Sequence, residues 1–310
     1  MERGITVLCG STFRYLVPDL KAAGFRTLFV NRQRFPDGEI KPVVPDLGRG
    51  RVVYLQSTYP PAENLLEFFL TLDALSRLQP CPRRIHALVP YFGYARQDRV
   101  DVIGAPLSLE WIASNISPRI RLTTVDFHNP AAFPYFGCPV KNILPVDFFA
   151  SFLRSKEELL RDAQVIAPDK GANKKNQLLA AALNLPHPMA QLEKKRNPRI
   201  GEVTIYGIEG KIQGTTAVLW DDVLTGGGTI LKAIAYLKRR GIKKVVLIIT
   251  HPLWFKVEET KMPEILKEVE LLVTTDSIPV FRARVPCVSW NIVILPLINL
   301  FKKIISGGKN

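Results

Sequence analysis

The chain has 310 residues, 47% hydrophobic and 23% charged, with a formal net charge of +14 and a pI of about 9.7. That length fits one large domain or two ordinary ones, and the apolar share is enough for a sizeable core. The positive balance favours an anionic partner (nucleic acid, a membrane surface or phosphorylated small molecules), although a lysine-rich solvated surface would give the same total.

Basic residues are spread along the chain instead of forming a tail, so no nucleic-acid partner is expected. No apolar run reaches the roughly 18 residues that cross a bilayer. The nearest candidate, NIVILPLINLF, is short and interrupted by Pro296, so no membrane partner is expected either. Cys9, Cys81, Cys138 and Cys287 are far apart and form no CxxC pair, which argues against a zinc site or a disulfide framework. Met1-Glu2-Arg3 runs directly into the strand-like GITVLCG without an apolar leader. The expected setting is soluble, reducing and cytoplasmic.

In chain order, TVLCG, TLFVN and VVYLQST have the brevity and β-branched content of strands. PAENLLEFFLTLDALSRL then shows apolar residues at helical spacing. Strand IHALVPYF, helix LSLEWIASNIS and strand LTTVDFH complete a first series. After about Leu144 the alternation restarts with helix VDFFASFLR, strand AQVIAPD, helix KKNQLLAAALN and strands MAQLEK and TAVLWDD. Helix TILKAIAYLKRRG and strands KVVLIITH and LLVTTDS follow. The pattern predicts an α/β fold: an open, mostly parallel sheet flanked by helices, present twice. The expected domains are 1–145 and 146–310, with the last segment packing back on the first.

Open α/β sheets bind ligands beyond the carboxyl ends of their strands. The polar residues of this chain are concentrated there, in FPDGE, QST, YARQDR, DFH, PDKG, EKKR, DDVLTGGGT and THPLWF. VLWDDVLTGGGTI, residues Val218 to Ile230, is the most informative of these regions. A glycine loop between strand and helix exposes backbone N–H groups, and the helix N-terminus adds partial positive charge, so Gly226, Gly227 and Gly228 can cradle a phosphate. Thr225 and Thr229 add hydroxyls. Asp221 and Asp222 would repel a phosphate in direct contact, so a sugar diol, hydrogen-bonded or bridged by Mg²⁺, suits them better. A turn whose aspartates merely cap the next helix is the plainer alternative. The absence of GK[ST] rules out a Walker A loop.

The loop resembles the ribose-phosphate site shared by phosphoribosyltransferases and ribose-phosphate pyrophosphokinases. The rest of the chain is similar to the second family from end to end. The matching stretches are GSTFRYL from Gly10, FPDGEI from Phe35, QSTYPPAENLLEFFLTLDAL from Gln56, VPYFGYARQDR from Val89, VDFH from Val125, PDKG from Pro168, EKKR from Glu193 and Thr250-His251.

This resemblance implies two phosphoribosyltransferase-like domains with the active site between them, in a homo-oligomer such as a dimer or hexamer. It also implies transfer of the diphosphoryl group of ATP to the C1 hydroxyl of ribose 5-phosphate, giving phosphoribosyl pyrophosphate and AMP. Lys194 and Arg196 match the family's catalytic cations, and His128 a histidine near metal and ATP phosphates. Asp169 matches a loop that holds Mg²⁺. Arg96, Gln97, Asp98 and Arg99 match ATP-binding positions. Phe35, Asp37 and Glu39 match a loop that closes over the adenine of a neighbouring subunit's ATP. Read without the family, EKKR is a solvated patch, His128 a structural strand-end histidine and FPDGE a turn.

The chain departs from the family pattern in three places. Thr225 and Gly226 stand where the loop usually has Asp-Thr, which removes one carboxylate and one hydroxyl. Val100, Asp101, Val102, Ile103 and Gly104 stand where several cations are usual. Asn129-Pro130-Ala131-Ala132-Phe133 replaces a glutamine-rich stretch. Two other expectations therefore stand beside the synthase reading: a pyrophosphokinase for another ribosyl substrate such as ADP-ribose, and a catalytically weak, synthase-like regulatory subunit.

Overall fold

Strands β1 (Ile5–Cys9) and β5 (Arg51–Leu55) are short runs buried on both faces, as strands between two helical layers must be. In the computed structural model, which describes residues 4–48, 50–82, 84–196, 203–254, 261–279 and 291–307, the chain divides into two units. One comprises Met1–Ile143, Ser277–Pro279 and Leu297–Asn310; the other comprises Leu144–Asp276 and Val280–Pro296.

The first unit contains β2 (Arg26–Phe29), β6 (Arg84–Leu88), β7 (Ile120–Val125) and β8 (Val140–Ile143) in a parallel sheet of order β2-β1-β5-β6-β7-β8. α1 (Val17–Ala22) follows a 3₁₀ turn at Ser11–Leu16. α2 (Glu63–Arg77) buries Asn64, Glu67, Phe68, Thr71, Leu72 and Leu75, the stripe expected at a period of 3.6. Leu8, Tyr54, Ala87 and Leu122 from successive strands pack with Phe68 and Leu75 in one core, which α3 (Ser108–Ser114) extends through Leu109 and Ile112. The alternate residues Val7, Cys9, Val53 and Leu55 point to the opposite face and are also buried. The C-terminal helix α9 (Ile298–Ile305) belongs to this unit, and its Phe301 meets Phe13 edge-on with ring centroids 5.5 Å apart.

An antiparallel hairpin, β3 (Asn31–Arg34) and β4 (Ile40–Val43), stands apart from that sheet and carries FPDGE at its turn. Asp37 Oδ1 accepts from the Glu39 N–H at 3.0 Å, and Gly38 has φ +98, so the turn reading of this stretch is correct. TLFVN supplies β2 as expected, whereas β3 and β4 are not legible as sequence patterns, because NRQR is polar on both faces.

The second unit has the order β11-β10-β9-β12-β13-β14-β15. The strands are β9 (Ala163–Ala167), β10 (Ala190–Arg196), β11 (Val203–Glu209), β12 (Thr216–Leu224), β13 (Lys244–Pro252), β14 (Leu271–Thr275) and β15 (Ile292–Leu295). All neighbours are parallel except β10 with β11. The pleat divides the core cleanly. Ala217, Leu219, Val245 and Leu247 join a cluster with α7 (Gly228–Lys238) and α8 (Met262–Glu268). Val218, Trp220, Val246 and Ile248 join the opposite cluster with α4 (Val146–Arg154), α5 (Glu157–Leu160) and α6 (Asn173–Leu183). The apolar segment NIVILPLINLF resolves into β15 and α9, separated at Pro296, and no described helix is long and apolar enough to cross a membrane.

Candidate active-site residues

In the second unit, the chain leaves β9 into PDKG. One carboxylate oxygen of Asp169 accepts from the Ala172 N–H at 3.0 Å, which closes the PDKG turn ahead of α6. The other pairs with Lys194 Nζ at 3.3 Å, where the lysine side chain is only 11% exposed. The β10–β11 register slips between Glu193 and Lys194: Glu193 faces Gly207 and Lys194 faces Ile205, so the extra residue of the bulge is Tyr206 on β11, and the irregularity lies beside the lysine. Gly207 makes room there, because a Cβ at that position would lie 2.1 Å from Glu193 Oε2. Arg196 ends β10, and its side chain lies outside the described residues.

Asp221 and Asp222 lie inside β12, two residues before its end, whereas the sequence put them at the strand terminus. Pleat alternation therefore sends them to different faces. Asp222 shares the face of Val218 and Trp220 and is buried. Its Oδ1 is 4.0 Å from Lys175 Nζ, and Lys175 also lies over the Trp220 ring at 5.4 Å. Burial pushes the Asp221 carboxyl up to about 7. Asp222 adds to that rise, Lys175 opposes it and Asp169 adds further.

Lys175 was missed from sequence, though a signal was present. It shares the apolar stripe of α6 with Leu179 and Leu183, where a solvated lysine does not belong.

The glycine loop follows. Gly227 has φ +80, and a Cβ there would sit 2.6 Å from Ile265 Cδ1, so chain geometry alone requires glycine. Gly226 and Gly228 differ: a Cβ on either would meet nothing within 4 Å. Their bareness leaves open space at the start of α7, where N–H groups and the helix dipole favour an anion. Thr225 and Thr229 are half-buried beside it.

In the first unit, YARQDR follows β6. Arg96 and Arg99 are exposed, and Gln97 Oε1 accepts from Ser108 Oγ at 2.6 Å. Asp98 Oδ2 accepts from Asn129 Nδ2 at 2.5 Å, which ties this loop to the one after β7. That second loop starts at Asp126, with φ +44, and carries His128 exposed. The hairpin turn leaves Phe35 46% exposed, with Asp37 and Glu39 also exposed.

Residues 6–118 match the N-terminal domain of ribose phosphate pyrophosphokinase, and residues 148–290 match the phosphoribosyl transferase domain. A ribose-phosphate pyrophosphokinase of Thermococcus kodakarensis is 31% identical over 91% of this chain and 97% of its own length. The chain belongs to the ribose-phosphate pyrophosphokinase family. A second relative of that name, from Burkholderia pseudomallei, is 34% identical over 82% of this chain and 79% of its own. The fold is also that of the phosphoribosylpyrophosphate synthetase of Mycobacterium smegmatis, with a TM-score of 0.79 over 98% of both chains at 23% identity. The two units are thus the paired phosphoribosyltransferase-like domains of a pyrophosphokinase.

The acidic residues of the second unit suit Mg²⁺. Among the described residues no three His, Cys, Asp or Glu side chains group as a metal cage. Magnesium characteristically uses one or two carboxylates together with substrate phosphates. Asp169, Asp221 and Asp222 supply carboxylates; burial first, and then the charges of Asp222 and Asp169, raise Asp221, and a cation would offset those charges.

Proposed function

We propose that this pyrophosphokinase transfers the diphosphoryl group of ATP to the C1 hydroxyl of ribose 5-phosphate, yielding phosphoribosyl pyrophosphate and AMP. The hydroxyl oxygen bonds to the β-phosphorus and its proton passes to solvent. The bond from the β-phosphorus to the oxygen bridging it to the α-phosphate breaks, and that oxygen leaves with AMP. The observation that carries this reading is the concentration, in one unit, of Asp169, Lys194, Asp221 and Asp222 beside an open glycine loop at a helix start. The names of the relatives support the same substrates.

In this reading the glycine loop, Thr225 and Thr229 cradle the 5-phosphate, and Asp221 and Asp222 accept from ribose hydroxyls. Lys194 and Arg196 meet the charge that grows on the transferred group, a contribution of about 10²–10³ in rate for one preorganised donor. Arg96, Gln97, Asp98 and Arg99, with Phe35, Asp37 and Glu39 from the hairpin, hold ATP. Asp169 and His128 would hold Mg²⁺, which when bound shields the triphosphate. The assembly is a homo-oligomer in a cytoplasmic setting.

A second reading draws on the open space at Gly226 and Gly228, which suits a ribose whose 5-phosphate is already esterified, as in ADP-ribose. Purified protein with Mg-ATP and either sugar, followed for AMP, separates the two. AMP with ribose 5-phosphate supports the first. AMP with ADP-ribose alone transfers the assignment, and AMP with neither rejects both and favours a regulatory subunit.

A further inference from the structure

The hairpin that bears Phe35, Asp37 and Glu39 is held to α2 by two ion pairs. Arg32 and Arg34, two apart on β3, share one strand face; Glu63 and Glu67, four apart on α2, share one helix face. Arg32 Nη1 reaches Glu67 Oε2 at 3.1 Å. Arg34 meets Glu63 through both carboxylate oxygens, at 3.0 and 2.7 Å. The bidentate geometry makes the second pair directional.

The two pairs are anchored differently. Glu67 is fully buried and also accepts from the Ser11 N–H at 2.8 Å and the Ser11 hydroxyl at 2.5 Å, which joins the loop after β1 to the hairpin. Arg32 lies 3.4 Å from Asn64 Oδ1, and Asn64 Nδ2 donates to the Tyr59 carbonyl at 2.9 Å. The Arg34–Glu63 pair extends in the other direction, into the turn: Arg34 Nη1 donates to the Gly38 carbonyl at 2.6 Å, inside the loop closed by Phe35 N–H to Glu39 O at 2.8 Å. The turn itself is exposed, so its placement depends on these polar ties more than on packing.

We propose that Glu63 and Glu67, through Arg34 and Arg32, are positioning residues that fix the hairpin turn for the nucleotide. The inference rests on the reading of that turn as an ATP-side loop. Holding an exposed turn in its bound geometry before the ligand arrives lowers the ordering cost of binding.

The exposed Arg34–Glu63 pair gives the cleaner test, because its loss does not open the core. Arg34→Glu and Glu63→Arg are made singly and together, and binding of a non-hydrolysable ATP analogue to the full-length protein is titrated. Each single variant is expected to weaken binding about tenfold, and the double variant, with the charges exchanged, to recover most of it. Where turnover is measurable, KM for ATP rises in the single variants while kcat and KM for the sugar phosphate stay within about twofold. Glu67→Gln, which keeps volume and removes charge, shifts the same two quantities. Single variants that bind like the wild type, or a double variant no better than either, overturn the inference. A wild type that binds no analogue overturns it as well. A wild type that binds the analogue but releases no AMP defeats the functional reading and leaves the positioning role standing.

Discussion

Lys175 Nζ lies 4.0 Å from Asp222 Oδ1, with the two side chains only 10% and 11% exposed. A buried carboxylate this close to a second one needs a counter-charge, and Lys175 is the cation that opposes the rise of Asp221. Lys175→Met keeps the stem over Trp220 and removes the charge. The separation is long for an ion pair, so the expected loss is about 3 kcal/mol, the low end for breaking a buried pair. KM for the sugar phosphate should rise about tenfold, because Asp221 would be protonated more often. Thermal unfolding and steady-state kinetics check both, and a variant that matches the wild type in each removes Lys175 from the site.

The three glycines after β12 should behave unequally. Gly227→Ala combines φ +80 with a 2.6 Å approach to Ile265 Cδ1, the mobile end of a side chain. A cost of about 1–3 kcal/mol is expected. Gly226→Ala meets nothing in the fold, and its stability should stay within about 0.5 kcal/mol of the wild type. The added methyl enters the space offered to the phosphate, so KM for the sugar phosphate should increase without a change in Tm. Equal stability losses in the two variants would refute this division of roles.

Much of this arrangement was legible before the structure. Buried parallel strands announce themselves because both faces are apolar, and KVVLIITH needed no tertiary information to be read as β13. The helices α2 and α7 followed from their periodicity. What the sequence did not disclose depends on contacts between distant segments. NRQR and IKPV form β3 and β4 only because each pairs with the other and α2 supplies the acids. Asp221 and Asp222 looked like one unit, and only the continuation of β12 to Leu224 divides them between faces. Lys175 disappeared into a run of lysines, although its helical position was a buried one.

His86 provides a pH prediction remote from the glycine loop. Its Nδ1 faces Arg51 Nη2 at 3.4 Å, and arginine can only donate, so Nδ1 accepts and Nε2–H donates to Thr123 Oγ1 at 2.7 Å. That tautomer is neutral. Burial, with Arg51, Arg121 and Lys141 nearby, lowers the folded-state pKa to about 4 from 6.5. The unfolded chain therefore binds this proton first. Stability from His86 is complete above pH 6.5 and declines as pH falls from 6.5 to 4, by at most about 3 kcal/mol. Denaturant titrations of the wild type and His86→Gln should differ least near pH 7, and the wild type should lose up to about 3 kcal/mol relative to the variant, which cannot titrate, as pH falls to 4. Parallel curves would show that another group sets the acid limb.

Lys194 presents a choice between holding the fold and meeting the substrate. Its partner Asp169 is 40% exposed, so the pair is screened and its loss should cost no more than about 1 kcal/mol. The same ammonium, released from Asp169 when phosphate oxygens arrive, can serve the transferred group, where one preorganised donor is worth about 10²–10³ in rate. Lys194→Ala should therefore keep Tm within a few degrees and lower kcat by that factor, with KM for ATP little changed. Asp169→Asn separates the two roles further: it frees Lys194 without removing it, so its kcat should fall less unless Asp169 also holds the metal. Raising Mg²⁺ would partly restore an Asp169→Asn enzyme weakened through metal binding, and would leave Lys194→Ala unchanged. A Lys194→Ala enzyme with wild-type kcat would mean that the cation serves only the loop it pairs with.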